Sequence, residues 1–351
     1  MTEHCKMEER YKSEERGHMY EYWKFEETVK MNRYGSTEAR GKTKTKTSQS
    51  MYRMKYFTTL VFIAVTMTVF SQSTEKSNQL LDQIKKKCAA VKGDFAVAFS
   101  DIQTGEQILW KEQETFHAAS TMKTPVMIEL FKQIANGALS LTDSVKVENE
   151  FKSIVDGSSY HLDPGDDSQE KLYAKVGTKV TLYELVYQMI TQSSNLATNI
   201  IIGMLDGKKV TETMRGLGAK NIMVLRGVED QKAFDQHLNN TTTAYDLMLI
   251  FQKMARGEII DPAACEKMIS ILLDQAHNTM IPALLPKEVK VAHKTGTITG
   301  VHHDSGIVFL PDGRKYVLVI LSKNTGDAAQ TENAIAGVSG LVYDYVTGKG
   351  Y

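Results

Sequence analysis

Three regimes of hydrophobic patterning succeed one another along the chain. Over residues 77–90, Leu80, Leu81 and Ile84 fall on one side of a helical turn and predict a first helix. Alternation follows: Phe95-Ala96-Val97-Ala98-Phe99 and Gln107-Ile108-Leu109-Trp110 flank Gln103-Thr104-Gly105-Glu106, the pattern of a β-hairpin. From about Ser120 to Arg256 the period is helical. Val126, Ile128, Leu130 and Phe131 form an apolar stripe, and Thr181-x-x-Glu184 is a capping box, in which a side-chain oxygen takes an otherwise unpaired helix N–H. Within this region residues 145–180 are polar, rich in Gly and Asp and without period, which predicts an excursion over the surface. After Pro286 strands return at Val289–Lys294, Gly306–Leu310 and Tyr316–Ser322, with Pro311-Asp312-Gly313 turning between the last two. A helix over Ala328–Val346 closes the pattern.

Two strands before and three after a helical stretch predict one five-stranded antiparallel sheet assembled from both ends of the chain. It is flanked by the terminal helices, and an all-helical domain docks on it: a mixed α/β (α+β), two-domain fold. The boundaries read as a sheet subdomain over 74–118 and 263–348 and a helical subdomain over 119–262.

The N-terminal part departs from globular patterning. Residues 1–53 are polar and charged without periodicity, an extension that is either disordered or upstream of the true start at Met51 or Met54. Residues 54–73 have Lys55, an uncharged run from Phe57 to Phe70 and the small polar exit Ser71-Gln72-Ser73, which predicts a signal peptide and a secreted, periplasmic protein. The alternative is a tail ahead of a signal anchor, although the run is short of the roughly 20 residues of a spanning helix. After cleavage no stable membrane span is expected.

Composition adds exclusions. With 42 basic and 42 acidic residues the formal charge is zero, so neither nucleic acid nor an anionic surface is an expected partner. A small-molecule ligand and a monomer fit better. Cys88 and Cys265 remain after the signal peptide, and free or buried thiols are expected rather than a bridge. No Cys/His spacing forms a metal site, His302-His303 alone being too little, and no cofactor is expected.

Three short motifs carry chemistry. Ser120-Thr121-Met122-Lys123 opens an apolar helix, and residues three apart share a face, so the Lys can sit beside the Ser hydroxyl and take its proton. Two other copies, Ser73-Thr74-Glu75-Lys76 and Ser168-Gln169-Glu170-Lys171, open no such helix. Pro125 predicts an irregular first turn. Ser193-Ser194-Asn195 lies between two helices, where it serves either as a helix cap or as a proton relay (Ser193) with a carbonyl-orienting amide (Asn195). Lys294-Thr295-Gly296-Thr297 lies on a strand, either as an edge-protecting Lys or as a carboxylate holder whose Gly lets the backbone approach a ligand.

The order of the three motifs resembles that of penicillin-binding proteins and class A β-lactamases. Phe116-His117-Ala118-Ala119 and Asn240-Thr241-Thr242-Thr243-Ala244 are also similar to that family's surroundings, and the resemblance runs from near Asn78 to near Val346. A second Ser-x-Asn, Ser322-Lys323-Asn324, comes too late in the order. The resemblance implies that Ser120 attacks a β-lactam carbonyl, Lys123 activates it and Ser193 passes a proton to the lactam nitrogen. Lys294, Thr295 and Thr297 then hold the substrate carboxylate, and the N–H groups of Ser120 and Thr297 form the oxyanion hole.

The sequence departs from the family where the acyl-enzyme is hydrolysed. Glu229, in Arg226-Gly227-Val228-Glu229-Asp230, is the candidate base and Asp230 its rival, but Lys232-Ala233 stands where a Leu-Asn pair is usual. Asn240 replaces an acidic residue that braces this loop against an Arg. Ser305 replaces an Arg on the neighbouring strand, with His303 and Asp304 as possible substitutes. The expected activity is a β-lactamase, giving antibiotic breakdown and resistance. The alternatives are a D-alanyl-D-alanine carboxypeptidase-like or esterase-like hydrolase of the cell envelope acting on cell-wall peptide, or a penicillin-binding protein that does not turn over.

Overall fold

The computed structural model describes residues 75–349; the expected extension over 1–53 and signal peptide over 54–73 lie outside the described residues. Five strands, β1 (Asp94–Asp101), β2 (Gln107–Trp110), β3 (Lys290–Ile298), β4 (Val301–Phe309) and β5 (Lys315–Lys323), form an antiparallel sheet in the order β2-β1-β5-β4-β3. The two ends of the chain meet where β1 pairs with β5, from Asp94 opposite Lys323 to Asp101 opposite Tyr316.

Alternation in these strands reports a sheet covered on both faces. Phe95, Val97 and Phe99 of β1 join Tyr316, Leu318 and Ile320 of β5 beneath α1 (residues 75–89) and the long C-terminal helix Ala328–Thr347. Leu80, Ile84 and Cys88, four residues apart, are the buried stripe of α1. The opposite face presents Ala96, Ala98, Val317, Val319 and Leu321 to the helical layer, where the small alanines let helices lie close. That layer contains α2 (Lys123–Ala135), α3 (Leu182–Thr191), α4 (Asn195–Leu205), α5 (Gly207–Gly216), α6 (Ala244–Ala255) and α7 (Pro262–Leu273). The predicted capping box is present, Glu184 N–H donating to Thr181 Oγ1 at 3.1 Å. Cys88 and Cys265 are both free and buried, in the cores on opposite faces of the sheet.

The C-terminal strands are longer than their apolar pattern predicts. β3 and β4 form a hairpin turning at Thr299-Gly300, with Gly300 at φ 72°, so the Lys-Thr-Gly segment lies well inside a strand. Residues 302–305 (His-His-Asp-Ser) hid the extension, being polar yet buried, and they bond across the ladder: His302 N–H donates to Ser322 Oγ, and Ser322 N–H to His303 Nδ1. Gly306 is obligatory in this strand. A Cβ there would lie 2.4 Å from Ala292 O and 2.6 Å from His293 Cβ.

The excursion folds as two short strand pairs, Ser144–Lys146 with Lys179–Thr181 and Phe151–Lys152 with Ser159–Tyr160. It runs over the surface but is pinned by buried Val147, Leu162 and Leu172, and it carries one buried carboxylate, Asp167, toward the helices.

Candidate active site

A tight 3-10 turn, Ala119–Met122, delivers Ser120 to the start of α2. Its entry is strained: Ala119 has φ 45°, and its N–H donates to His117 Nδ1 at 3.0 Å, which fixes that conformation. Pro125 falls within the first turn of α2, where backbone N–H groups have no intrahelical acceptor, so its missing donor costs little there. Ser120 is half-buried.

Lys123 is fully buried, and its Nζ donates to Ser193 O (2.6 Å), Asn195 Oδ1 (2.9 Å) and Ser193 Oγ (3.2 Å). None of these bonds goes to the Ser120 hydroxyl: the amine, one helical turn beyond Ser120, is held by the Ser193–Asn195 turn. Burial pushes the amine down to about 7, against the upward pull of the Asp167 and Glu229 carboxylates. In the neutral amine two N–H bonds serve the two carbonyl oxygens, and a lone pair is left for a hydroxyl proton.

The Ser-Ser-Asn turn supplies the expected cap and leaves its other two side chains to the cluster. Ser194 caps α4, accepting from Ala197 N–H at 3.2 Å, while Ser193, with φ 58°, and Asn195 turn toward Lys123. Ser193 Oγ also accepts from Lys294 Nζ at 3.1 Å. Lys294 thus holds the Ser193 oxygen from one side, which leaves the hydroxyl proton to be donated elsewhere, to neutral Lys123 or to a ligand atom. Lys294 is fully buried and also donates to Thr295 O at 2.9 Å. Burial, then the charge of Lys123, drive its amine well below the ordinary lysine value, and Asp304 partly offsets this. A ligand carboxylate would supply the missing counter-charge.

Gly296 has a reason beyond ligand approach. A Cβ there would lie 3.1 Å from both Ser120 N and Thr121 N, so the glycine lets β3 run against the turn that carries Ser120. Thr295 is buried in the same strand, and Thr297, just beyond Gly296, is at its exposed end.

Glu229 reaches this group from the loop 226–240. Its backbone is left-handed (φ 61°), and its Oε1 accepts from Asn195 Nδ2 at 2.6 Å. Asn195 thereby bridges Glu229 and Lys123. Desolvation raises the Glu229 carboxyl above its ordinary value, and Asn195 opposes that. Asp230 is not available as a rival base: it is buried, accepts from Ser153 Oγ (2.8 Å) and Ile154 N–H (2.9 Å), and caps the short helix Gln231–Asp235 through Ala233 N–H (3.1 Å).

Two asparagines brace the loop by amide pairing. Asn199, one turn beyond Asn195 on α4, accepts from Val228 N–H (2.6 Å) and donates to Val228 O (3.0 Å). Asn240 accepts from the N–H groups of Leu225 (2.8 Å) and Arg226 (3.2 Å) and donates to Arg226 O (2.9 Å), doing through the backbone what an ion pair with Arg226 would do. Arg226 itself donates to Leu238 O, Gly227 O and Asn239 Oδ1.

On β4, Ser305 stands opposite Lys294 and its hydroxyl donates to Lys294 O (3.2 Å). Neither suggested substitute for an Arg is free to act. His303 is fully buried, pushed down to about 4 by that burial, and bonded to His117 O and Ser322 N–H. Asp304 accepts from Ile281 N–H and pairs with His293 Nδ1 (2.8 Å).

The arrangement places a helix-start serine, two desolvated amines, a hydroxyl between them and a carboxylate around one point, a constellation suited to nucleophilic acyl transfer. Comparisons agree. A family model described as the beta-lactamase enzyme family matches residues 79–346. Curated relatives include Beta-lactamase VEB-1 of Pseudomonas aeruginosa, 20% identical over 83% of this chain and 97% of its own length. Extended-spectrum beta-lactamase PER-1 of the same organism is 23% identical over 82% and 94%. Among solved structures, PBP-A is 26% identical with a TM-score of 0.66, covering 78% of this chain and 97% of its own. A mutant of PBP-A has been solved as an acyl-enzyme complex with penicillin G. A beta-lactamase from Chitinophaga pinensis has a TM-score of 0.67 at 21% identity, covering 76% and 99%.

Proposed function

This chain belongs to the beta-lactamase enzyme family, and we propose that within it the protein is a turning-over, class A-like β-lactamase that opens the lactam ring through an acyl-enzyme on Ser120. The observation that carries this reading is the Glu229 carboxylate, aimed into the site and bonded to Asn195 at 2.6 Å. Acylation alone needs no such group, whereas hydrolysis of the ester needs a base for water.

In this mechanism neutral Lys123 takes the Ser120 proton as Oγ attacks the lactam carbonyl. Ser193 then delivers its proton to the leaving nitrogen and is reprotonated through the adjoining amines. The backbone N–H groups of Ser120 and Thr297 stabilise the oxyanion, and Lys294, Thr295 and Thr297 hold the substrate carboxylate. Glu229 takes a proton from the water that releases the product. The test is sustained hydrolysis of a chromogenic cephalosporin by the chain from about Thr74, with intact mass recorded alongside. Sustained colour supports the reading, and a stable adduct without colour overturns it.

A second reading, a cell-envelope hydrolase or penicillin-binding protein that acylates and clears slowly, draws support from the likeness to PBP-A and from Lys232-Ala233 in the loop.

Both readings make one pH prediction. Lys123 must be neutral to take a proton and its amine lies at about 7, so acylation by a fluorescent penicillin rises tenfold per pH unit below about pH 7 and levels off above it. Labelling rates between pH 5 and 9 check this, and a flat profile excludes Lys123 as the base.

A further inference from the structure

Asp167 lies inside the excursion, 6% exposed, against the N-terminus of α4. Its Oδ2 accepts from the backbone N–H groups of Asn195 and Leu196 (both 2.9 Å), from Tyr173 OH (3.0 Å) and from Ser194 Oγ (3.3 Å), while its Oδ1 accepts from Gln169 N–H at 3.1 Å. Two consecutive amides at a helix start and two hydroxyls thus converge on one buried carboxylate. All four donors to Oδ2 except Tyr173 belong to the turn that holds Ser193 and Asn195 onto Lys123, or to the residue that follows it.

We infer that Asp167 is a positioning residue for acyl transfer: it fixes the Ser193–Asn195 turn against Lys123 and sets the electrostatic field in which Lys123 exchanges its proton. The inference rests on the reading of Ser120, Lys123 and Ser193 given under Proposed function. Four titratable groups face Lys123 or lie within its field: Asp167 from the excursion, Glu229 from the loop, Lys294 from β3 and His277 at the rim, the last two pushed toward their neutral forms by burial. The Asp167 carboxylate favours the protonated amine, second only to burial among the influences on it and opposite in direction. Without that charge Lys123 loses its proton at lower pH. Without the carboxylate's geometry the turn loses the acceptor for Asn195 and Leu196 N–H.

The test compares wild type, Asp167→Asn and Asp167→Glu, each labelled on Ser120 by a fluorescent penicillin and separately by a fluorophosphonate, between pH 5 and 9. Melting temperature is followed alongside. For Asp167→Asn we expect the plateau rate to fall about tenfold or more and the acid limb to move down by about half a pH unit or more. Asp167→Glu restores the limb because it restores the charge. Plateau rates within threefold of wild type and an unmoved limb overturn the proposal. So does a slowed rate with the limb in place, the result for a brace that only supports the fold. If Asp167→Asn does not fold, Tyr173→Phe removes one donor from a half-exposed position; at least threefold slower labelling is expected, and unchanged kinetics count against the inference. Should penicillin fail to label wild type while the fluorophosphonate succeeds, the substrate reading falls and Asp167 is judged on the phosphonate profile. If neither probe labels wild type, Ser120 is not activated and the inference falls as well.

Discussion

Ser120→Ala abolishes covalent labelling by penicillin and lowers hydrolysis of a chromogenic cephalosporin by roughly 10⁴-fold or more, because no other hydroxyl occupies its place. Ser193, the other serine hydroxyl of the cluster, has its oxygen held by Lys294 and lies 3.2 Å from the Lys123 amine, so it cannot attack a carbonyl without breaking those contacts. The substitution removes a half-buried hydroxyl from a turn shaped by the backbone and by His117, so the melting temperature stays within a few degrees of wild type. Intact mass after incubation with penicillin reads the result directly. An adduct on the alanine variant would transfer the nucleophile to another residue.

Glu229→Gln separates the two halves of the reaction. Glutamine keeps an oxygen to accept from Asn195 Nδ2, so the amide bridge to Lys123 survives and acylation proceeds within a few-fold of wild type. What is lost is a group able to take a proton from water, and deacylation slows on the order of 10³-fold. The expected observation is a burst of colour equal to the enzyme concentration, then a stalled acyl-enzyme visible by mass. In wild type, deacylation should rise with pH through the carboxyl's own titration, which desolvation places above the ordinary glutamate value. Steady turnover by the Gln variant would remove Glu229 as the base, and since Asp230 is already committed to Ser153, Ile154 and Ala233, it would point outside this loop.

Much of this was legible in the sequence because the responsible forces are local. The alternation Phe95-Ala96-Val97-Ala98-Phe99 reported a sheet covered on both sides, and the three motifs named residues that the fold brings together at the start of α2, between α3 and α4, and on β3. The failures share one cause, buried polar groups whose partners lie far away in sequence. The start of β4 was missed because His302, His303, Asp304 and Ser305 are polar, and their satisfaction by Ser322, His117, Ile281 and Lys294 cannot be seen from neighbours. Asp167 lay in a stretch read as a surface excursion, and only the fold shows that its acceptors face α4. Asn199 carried a usable signal, standing four residues after Asn195 on one helix and therefore facing the same loop.

Joining β1 to β5 ties residue 94 to residue 323, and this governs the order in which the protein can come into being. During synthesis the first hairpin and the Ser120 turn emerge long before β3 supplies Lys294 and before β5 covers the bare edge of β1. The long-range pairing makes for slow folding, since a long loop must close before its contacts stabilise anything. Throughout that interval an apolar strand edge stands open to other chains. The catalytic group therefore cannot assemble before β3 is made, and a product ending before Lys315 leaves the apolar edge of β1 uncovered and prone to aggregate.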